Sequence, residues 1–327
     1  CFESQLNVAM VEAEQVVPLD DILEGVKDDF TENDIRTNTI DGKTYGVRMI
    51  DDPQLIYYRK SLLDKAGMEP PKTLDELIEV SKACTTGKVK GLWAGDDGGL
   101  VFGGVAMYSA GGTWLTEDHR APAFATEQVA AAMGKLRELY TSKSLLLGAP
   151  TPWTDPGAFL NELCAMQWCG LWAMPAIQEK FGDDFGVIPF PAADENGRPA
   201  VYNGGWTQFV AAKSKNIDAA KAYVKWLWID QEEYQEDWCL NYGFHIPPRK
   251  SLAAKATKLQ SGPAADAVKY SQEHGMVDDP FWTPKMGTAF GDMVRNVVAK
   301  GKDPMKEMQA AKAKVEAEIE ARYSGGK

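Results

Sequence analysis

Apolar residues recur along the chain with two patterns, one typical of helices and one of buried strands. Between 126 and 140 the apolar positions have helical spacing, as in Val129, Met133, Leu136 and Tyr140. Residues 74–84 also form a predicted helix, because Thr73 can cap the first turn and Glu76 follows three residues later. The uninterrupted apolar run 55–58 predicts a buried strand.

Turn signals and further helices complete this pattern. Asp41 and Gly42 form a strong signal for a two-residue hairpin turn. The stretches 218–228 and 304–322 predict two more helices. Because predicted helices and strands alternate along the chain, the sequence predicts an α/β fold.

The composition is that of a globular, acidic protein. The chain has 327 residues, 44% of them hydrophobic and 25% charged, and its 35 Lys and Arg against 47 Asp and Glu give a net charge of −12. This length allows two domains with sizeable cores. The negative charge disfavours nucleic acid or an anionic membrane as the main partner, since both repel acidic surfaces. The sequence contains no apolar run of about 18 residues that would predict a transmembrane helix.

Five cysteines give an odd count without a CxxC pair; they are Cys1, Cys84, Cys164, Cys169 and Cys239. We expect inert thiols that behave as small buried hydrophobic residues. One disulfide is the alternative, because such bonds form in extracytoplasmic proteins.

Motifs for catalysis, metal binding and phosphate binding are absent from the sequence. The three histidines, at 119, 245 and 274, form no paired metal signature, and no GxSxG nucleophile elbow occurs. The glycine-rich segment 95–99 lacks the Lys-Ser/Thr of a phosphate loop. The sequence therefore predicts no catalytic residue, no metal and no cofactor.

Ten tryptophans are the unusual feature of the composition. A flat aromatic ring can cover the apolar face of a pyranose, while carboxylates accept hydrogen bonds from its hydroxyl groups. The candidates each lie near Gly or Pro, several of them near Asp, and are Trp93, Trp153, Trp172, Trp206 and Trp282. Trp226, Trp228 and Trp238 lie in or beside a predicted helix, and we expect them to pack in the core. Any single candidate could equally pack within the protein, so the argument depends on their number.

A series of short motifs follows one another at 17–21, 41–47, 55–63, 66–77, 165–172, 203–206, 214–216 and 243–247. In this order they resemble the extracellular solute-binding proteins of ABC sugar importers. Gly170 to Trp172 resembles the GxW turn of that family, and Asn203 to Trp206 resembles a segment where the chain crosses between lobes. Each motif alone is weak, and their common order over nearly the whole chain carries the resemblance.

The resemblance implies two α/β lobes with a ligand cleft between them and hinge closure on binding. Lobe one is expected at 1–50 plus 208–275, and lobe two at 54–205 plus 283–327. The crossings are expected near 50–54, 204–210 and 276–284. Family members carry a segment before the point where this chain starts. The resemblance thus implies that the first strands of lobe one are missing, and we expect this chain to bind poorly or to be unstable.

The implied function is capture of a carbohydrate, with an oligosaccharide expected, and its delivery to the membrane permease of an ABC importer. We expect a monomer outside the cytoplasm, periplasmic or anchored at the cell surface through the missing segment. The alternative is a glycoside-active enzyme, which would combine the same tryptophans with two carboxylates.

The predicted site residues come from the argument about tryptophans and carboxylates and from the family resemblance. Asp51 and Asp52 lie at the expected first crossing, before Pro53, and Asp96 follows Trp93 in a glycine-rich loop. The predicted ligand-binding residues are Asp51, Asp52, Trp93, Asp96, Trp153, Trp172, Gly205, Trp206 and Trp282.

Overall fold

The computed structural model describes residues 1–97, 99–149 and 151–324. The chain divides into two compact units, and neither is continuous in sequence. Unit 1 contains Cys1–Pro53, Asn203–Val268 and Val277–Thr283, and unit 2 contains Gln54–Tyr202, Lys269–Met276 and Pro284–Lys327. The lobe ranges expected from the sequence stay a prediction.

The strands alternate with helices along the chain, as an α/β fold requires. They are β1 (Phe2–Glu3), β2 (Thr39–Ile40), β3 (Lys43–Thr44), β4 (Gly46–Tyr58), β5 (Lys90–Trp93), β6 (Cys164–Gly170), β7 (Gly186–Ile188), β8 (Val201–Phe209) and β9 (Gly275–Met276). The α/β class predicted from the sequence is confirmed.

The α-helices range from single turns to a long C-terminal helix. They are α1 (Val8–Glu12), α2 (Asp20–Leu23), α3 (Glu32–Thr37), α4 (Lys60–Ala66), α5 (Leu74–Ala83), α6 (Phe102–Ser109), α7 (Glu127–Thr141), α8 (Gly157–Leu160), α9 (Met174–Phe181), α10 (Ile217–Lys225), α11 (Glu232–Asp237), α12 (Lys250–Ala253), α13 (Gly262–His274), α14 (Pro284–Val298) and α15 (Pro304–Ser324).

Local capping signals place two of the predicted helices correctly. The Thr73 hydroxyl accepts a hydrogen bond from the Glu76 amide at 3.3 Å, and the Glu76 carboxylate accepts one from the Lys72 amide at 2.7 Å. At α7 the Thr126 hydroxyl accepts from the Val129 amide at 3.2 Å. Because these side chains satisfy amide groups that the helix cannot pair, they fix where α5 and α7 begin.

Unit 1 contains two hydrophobic clusters beside short strands. In the predicted hairpin, β2 pairs with β3, and Asp41 and Gly42 adopt φ values of 50° and 76°, as a two-residue turn requires. β1 pairs antiparallel with β8, where Phe2 lies opposite Gln208. Leu19, Leu23, Val47 and Trp228 are among the residues of the larger cluster.

Unit 2 contains a sheet in which β5 runs parallel to β6, and β4 pairs antiparallel with both β6 and β7. Aromatic side chains fill its core. Phe102 of α6 packs edge-on against Trp168 of β6 at 5.5 Å and lies 5.0 Å from Phe190. Helices α7, α14 and α15 pack against one another beside this core.

β4 and β8 each pass from one unit into the other, β4 between Pro53 and Gln54 and β8 between Tyr202 and Asn203. The crossings expected from the sequence stay a prediction. Residues 46–53 of β4 belong to unit 1 and residues 54–58 to unit 2. The structure groups Lys269–Met276 with unit 2, because β9 pairs with Val201 and Tyr202 of β8. The sequence-based ranges put 269–275 in lobe one.

One expectation about the tryptophans is wrong. The predicted helix at 218–228 is α10 followed by a π-helix at Trp226–Asp230. Trp228 is buried in the unit 1 core as expected, but Trp226 is 43% exposed. Residues two apart in a helix lie on different faces, so the two rings cannot both reach the same core. Trp238 is half-buried and packs against the core cluster, as expected.

Candidate functional site

In unit 2 the structure brings together Trp172 and Trp153, two of the predicted residues. The ring of Trp172 lies over the backbone of Gly170, where a Cβ atom would overlap the ring. The Trp172 indole Nε1 donates a hydrogen bond to the Thr154 carbonyl oxygen at 2.8 Å. The centroids of the two rings are 6.4 Å apart, and their planes are inclined by 51°. Both rings are half-buried, so each keeps an accessible part.

Asp96 lies in a loop that passes close to one of these rings. Gly95 has φ 108°, and a Cβ there would lie 3.7 Å from Cδ1 of Trp153, so the backbone next to Asp96 is near that ring. The Asp96 side chain is exposed, and its Oδ1 accepts a hydrogen bond from the Ala149 amide at 3.1 Å. An exposed carboxylate next to aromatic rings is the combination that carbohydrate recognition requires. We call Asp96, Trp153 and Trp172 the unit 2 aromatic surface.

In unit 1, Gly205 and Trp206 lie on β8. Gly205 has φ 141°, and a Cβ atom there would overlap the Ile50 carbonyl oxygen and the guanidinium of Arg48. Only glycine permits this backbone conformation together with so close an approach. Trp206 is 43% exposed, and its ring contacts the exposed Phe2 edge-on at 5.5 Å.

Gly205 lies against a set of charged side chains that we call the Arg48 cluster. Its members are Asp34, Arg48 and Asp51. Nε of Arg48 donates to Oδ1 of Asp51 at 2.8 Å and lies 3.8 Å from Oδ1 of Asp34. The other guanidinium nitrogens donate to the carbonyl oxygens of Ser4, at 2.9 Å, and Gly204. All five donors of a buried guanidinium need acceptors, which explains why carbonyl groups from β8 and the N-terminal segment converge there.

The Arg48 cluster shifts the acidity of its own carboxyl groups. Burial, reinforced by the charge of Asp51, raises the pKa of Asp34 to about 7. Burial also raises the pKa of Asp51, although the Arg48 guanidinium acts in the opposite direction. Asp34 and Asp51 share a side-chain hydrogen bond, which is the arrangement expected when one carboxyl group keeps its proton.

Asp52 makes a separate contact. Its Oδ1 lies 2.5 Å from Nδ1 of His245, and the Asp52 residue is only 4% exposed. Gly243 allows this placement, because a Cβ on it would overlap the His245 ring. Asp51 and Asp52 are neighbours in β4 just before the boundary between the two units, and internal partners occupy both carboxyl groups. Their role in ligand binding stays a prediction.

The remaining two tryptophans are buried. Trp93 is 0% exposed in β5, and Trp282 is 8% exposed, with its carbonyl oxygen accepting a hydrogen bond from the Asn7 side chain at 2.8 Å. Neither is brought into the unit 2 aromatic surface.

Sequence reasoning missed Arg48, Asp34 and His245. A signal for Arg48 was present, because it is a lone charge in the buried apolar run 47–50 and a buried guanidinium needs partners. Nothing in the sequence indicated that its partners would include carbonyl groups of Ser4 and Gly204, which lie far away along the chain.

The thiols form no disulfide within the described residues, which include all five cysteines. Cys1 is exposed, while the other four cysteines are buried as expected. Burial raises the pKa of Cys84, Cys164 and Cys239, so these thiols are poor nucleophiles.

Within 1–97, 99–149 and 151–324, no group of three His, Cys, Asp or Glu side chains is arranged to hold a metal ion. None of the helices in this described part is long and apolar enough to cross a membrane.

Comparison with known proteins gives a family match. The sequence profile of the bacterial extracellular solute-binding proteins matches residues 5–228, which is more than half of the chain. The arabinooligosaccharide-binding protein of Halalkalibacterium halodurans is 26% identical over 249 residues, which cover 72% of this chain. The galactooligosaccharide-binding protein of Bacillus subtilis is 23% identical over 321 residues, covering 90% of this chain and 71% of that protein. The chain spans about half of the first of these relatives, 54% of its length.

A solved structure with a similar fold is the solute-binding protein of an ABC transporter from Thermotoga lettingae, bound with α-D-tagatose. The TM-score is 0.84 at 20% identity, and the match covers 97% of this chain and 84% of that one. At this identity the similarity describes the fold alone, and it agrees with the two-unit α/β architecture.

Proposed function

The chain belongs to the bacterial extracellular solute-binding proteins, and we propose that it captures an oligosaccharide for delivery to the permease of an ABC importer. The observation that carries this proposal is the unit 2 aromatic surface, where two half-exposed indole rings lie near the loop that holds the exposed carboxylate of Asp96. The rings provide apolar faces for the C–H groups of a sugar, and the carboxylate accepts from its hydroxyl groups. The names of the arabinooligosaccharide- and galactooligosaccharide-binding relatives support an oligosaccharide rather than a single sugar.

The family and these relatives are binding proteins rather than enzymes. We propose that this chain likewise breaks no bond and works as a monomer with permease subunits as its partner. A glycoside-active enzyme would need an acid and a second carboxylate that both face the sugar. Two carboxyl groups with raised pKa values, those of Asp34 and Asp51, instead lie against the buried guanidinium of Arg48.

A thermal-shift screen tests the binding function. Arabino-, galacto- and malto-oligosaccharides are added to the protein one at a time, and the melting temperature is recorded. A ligand that binds only the folded protein raises this temperature, by an amount that grows with concentration. The absence of a shift with every sugar in the panel would contradict the proposal. Chromatography of the same mixtures tests the absence of catalysis, since shortened sugars would indicate an enzyme.

A further inference from the structure

The guanidinium of Arg48 connects three parts of unit 1 through separate nitrogen atoms. Nε binds the carboxylate of Asp51, and the two terminal nitrogens bind the carbonyl oxygens of Ser4 and Gly204. Gly204 is two residues before Trp206 on β8. The bond to Gly204 therefore holds the strand segment from which the exposed Trp206 ring projects.

Gly205 makes this segment sensitive to the position of Arg48. A Cβ atom on Gly205 would overlap the guanidinium, so the strand lies directly against it. A displacement of the guanidinium by a fraction of an ångström would be transmitted to the backbone, because packed interiors have little free space. Among the described residues, the Trp206 ring has one ring neighbour, Phe2, which is itself mostly exposed and offers little restraint.

The carboxyl groups around Arg48 outnumber the guanidinium. Three of them, those of Asp34, Asp51 and Asp52, lie close to it, and Asp52 also contacts the imidazole of His245. Asp34 comes from α3, His245 from the segment after α11, and the other three from β4. The Cys239 thiol is also near Asp51 and Asp52. Burial of this excess negative charge favours a proton shared by Asp34 and Asp51, and the raised pKa of Asp34 agrees.

We propose that Arg48 is a positioning residue for Trp206, and that the proton shared by Asp34 and Asp51 controls how firmly Arg48 holds the Gly204–Trp206 segment. With the proton in place, Asp34 does not draw the guanidinium toward itself, and the bond to Gly204 is kept. When Asp34 loses the proton, its carboxylate attracts Nε from 3.8 Å, and the guanidinium is drawn away from Gly204. The part of this inference that concerns sugar affinity rests on the proposed function, since it requires Trp206 to contact the carbohydrate.

The first test uses the protein without ligand. The indole N–H resonance of Trp206, assigned with the Trp206→Phe variant, is followed by NMR from pH 5.5 to 8.5. We expect a shift with a midpoint near 7 in the wild type. Asp34→Asn, which keeps a neutral side chain at this position, abolishes the shift. The matched control Asp266→Asn, a change at an exposed aspartate of α13, keeps the wild-type profile. A wild-type resonance that does not move, or the same titration in Asp34→Asn, would overturn the positioning role.

The second test measures affinity. Arabino-, galacto- and malto-oligosaccharides are titrated calorimetrically at pH 6 and pH 8 into the wild type and both aspartate variants. We expect a roughly three- to tenfold weaker affinity at pH 8 for the wild type and for Asp266→Asn, with no change for Asp34→Asn. Equal wild-type affinities at both pH values would refute the link to binding. If none of the sugars binds at any pH, the proposed function fails, while the indole titration still decides whether Arg48 positions Trp206.

Discussion

Trp172 offers a ligand its ring but not its indole N–H. The nitrogen already donates to the Thr154 carbonyl oxygen, and the ring is fixed against Gly170. A fixed ring loses little conformational entropy when a sugar covers it, so this residue should contribute more to affinity than a mobile surface tryptophan. At the same scale, Asp52 differs from Asp96: the first carboxylate is occupied by His245, and the second is exposed.

Trp172→Ala should weaken oligosaccharide binding by about 1–3 kcal/mol, by analogy with the stacking of a base on an aromatic ring. Calorimetry on the folded variant measures this loss. Trp226→Ala is the matched control, because it removes an exposed indole from unit 1 that lies outside the proposed surface. Unchanged affinity in Trp172→Ala would remove this residue from the site.

Asp52→Asn should lower the free energy of unfolding by about 1–3 kcal/mol, because the change disturbs a buried hydrogen bond with His245. The sequence predicts a different result, weaker sugar binding without a loss of stability. Urea denaturation and calorimetry on the same variant distinguish the two. Wild-type stability together with reduced affinity would favour the ligand-binding role.

At the scale of elements, the sequence predicted structure that depends on neighbouring residues. It did not predict contacts between residues that lie far apart along the chain. Hydrogen bonds and dihedral angles of neighbouring residues fix the elements at Thr73, Thr126 and the Asp41–Gly42 turn. A short stretch of sequence is therefore enough to predict where these elements lie. The environment of Gly205 depends instead on Arg48, which lies more than 150 positions away along the chain. The family resemblance pointed to Gly205 and Trp206, but the charged group below them follows only from the tertiary fold.

Gly205→Ala should destabilise the protein by at least about 1–3 kcal/mol, since alanine is strained at φ 141° and its Cβ has no room. Gly291→Ala is the matched control. This glycine lies in α14 with open space around it, so alanine should be neutral or stabilise the helix by up to about 1 kcal/mol. Thermal unfolding of both variants provides the comparison. Equal melting temperatures would mean that β8 can shift away from Arg48 without penalty.

At the scale of the whole molecule, the fold class followed from the alternation of elements, while the burial of individual tryptophans did not. Trp93 and Trp153 both have glycine or proline close by in sequence, yet Trp93 lies inside unit 2 and Trp153 is half-exposed. Which of them is covered depends on how helices pack on the sheet, and this information is spread over the entire chain. The acidic composition is also a property of the whole molecule. One of its carboxyl groups, that of Asp34, makes the free energy of unfolding depend on pH.

Stability should fall as pH rises from about 4 to 7. The pKa of Asp34 is about 7 in the folded protein, above the ordinary value near 3.9, so the folded state binds this proton more tightly than the unfolded state. The resulting stabilisation is complete below pH 4 and is lost as pH rises through 7, with a slope of at most about 1.4 kcal/mol per pH unit. Urea denaturation across this range should give a shallower decline for Asp34→Asn. Parallel curves for the two proteins would contradict the assignment.

The thiols should react according to their burial. Alkylation of the native protein should modify Cys1 alone, and alkylation after denaturation should modify all five cysteines, with the same result whether or not a reductant is present. Intact mass measurement reads the number of added groups. A mass difference that depends on the reductant would reveal a disulfide.

The discontinuity of unit 1 has a consequence for how the protein is made. A ribosome delivers the chain from its N-terminus, so β1 emerges long before β8, its pairing partner. Unit 1 is not complete until residue 283 has been synthesised, whereas most of unit 2 is one uninterrupted stretch, Gln54–Tyr202. Contacts between distant parts of a chain form slowly, and incomplete domains expose apolar surface in the meantime. Apart from the hairpin of β2 and β3, residues 1–53 must therefore wait for their partners in unit 1, which makes them the natural segment for a chaperone to protect during synthesis.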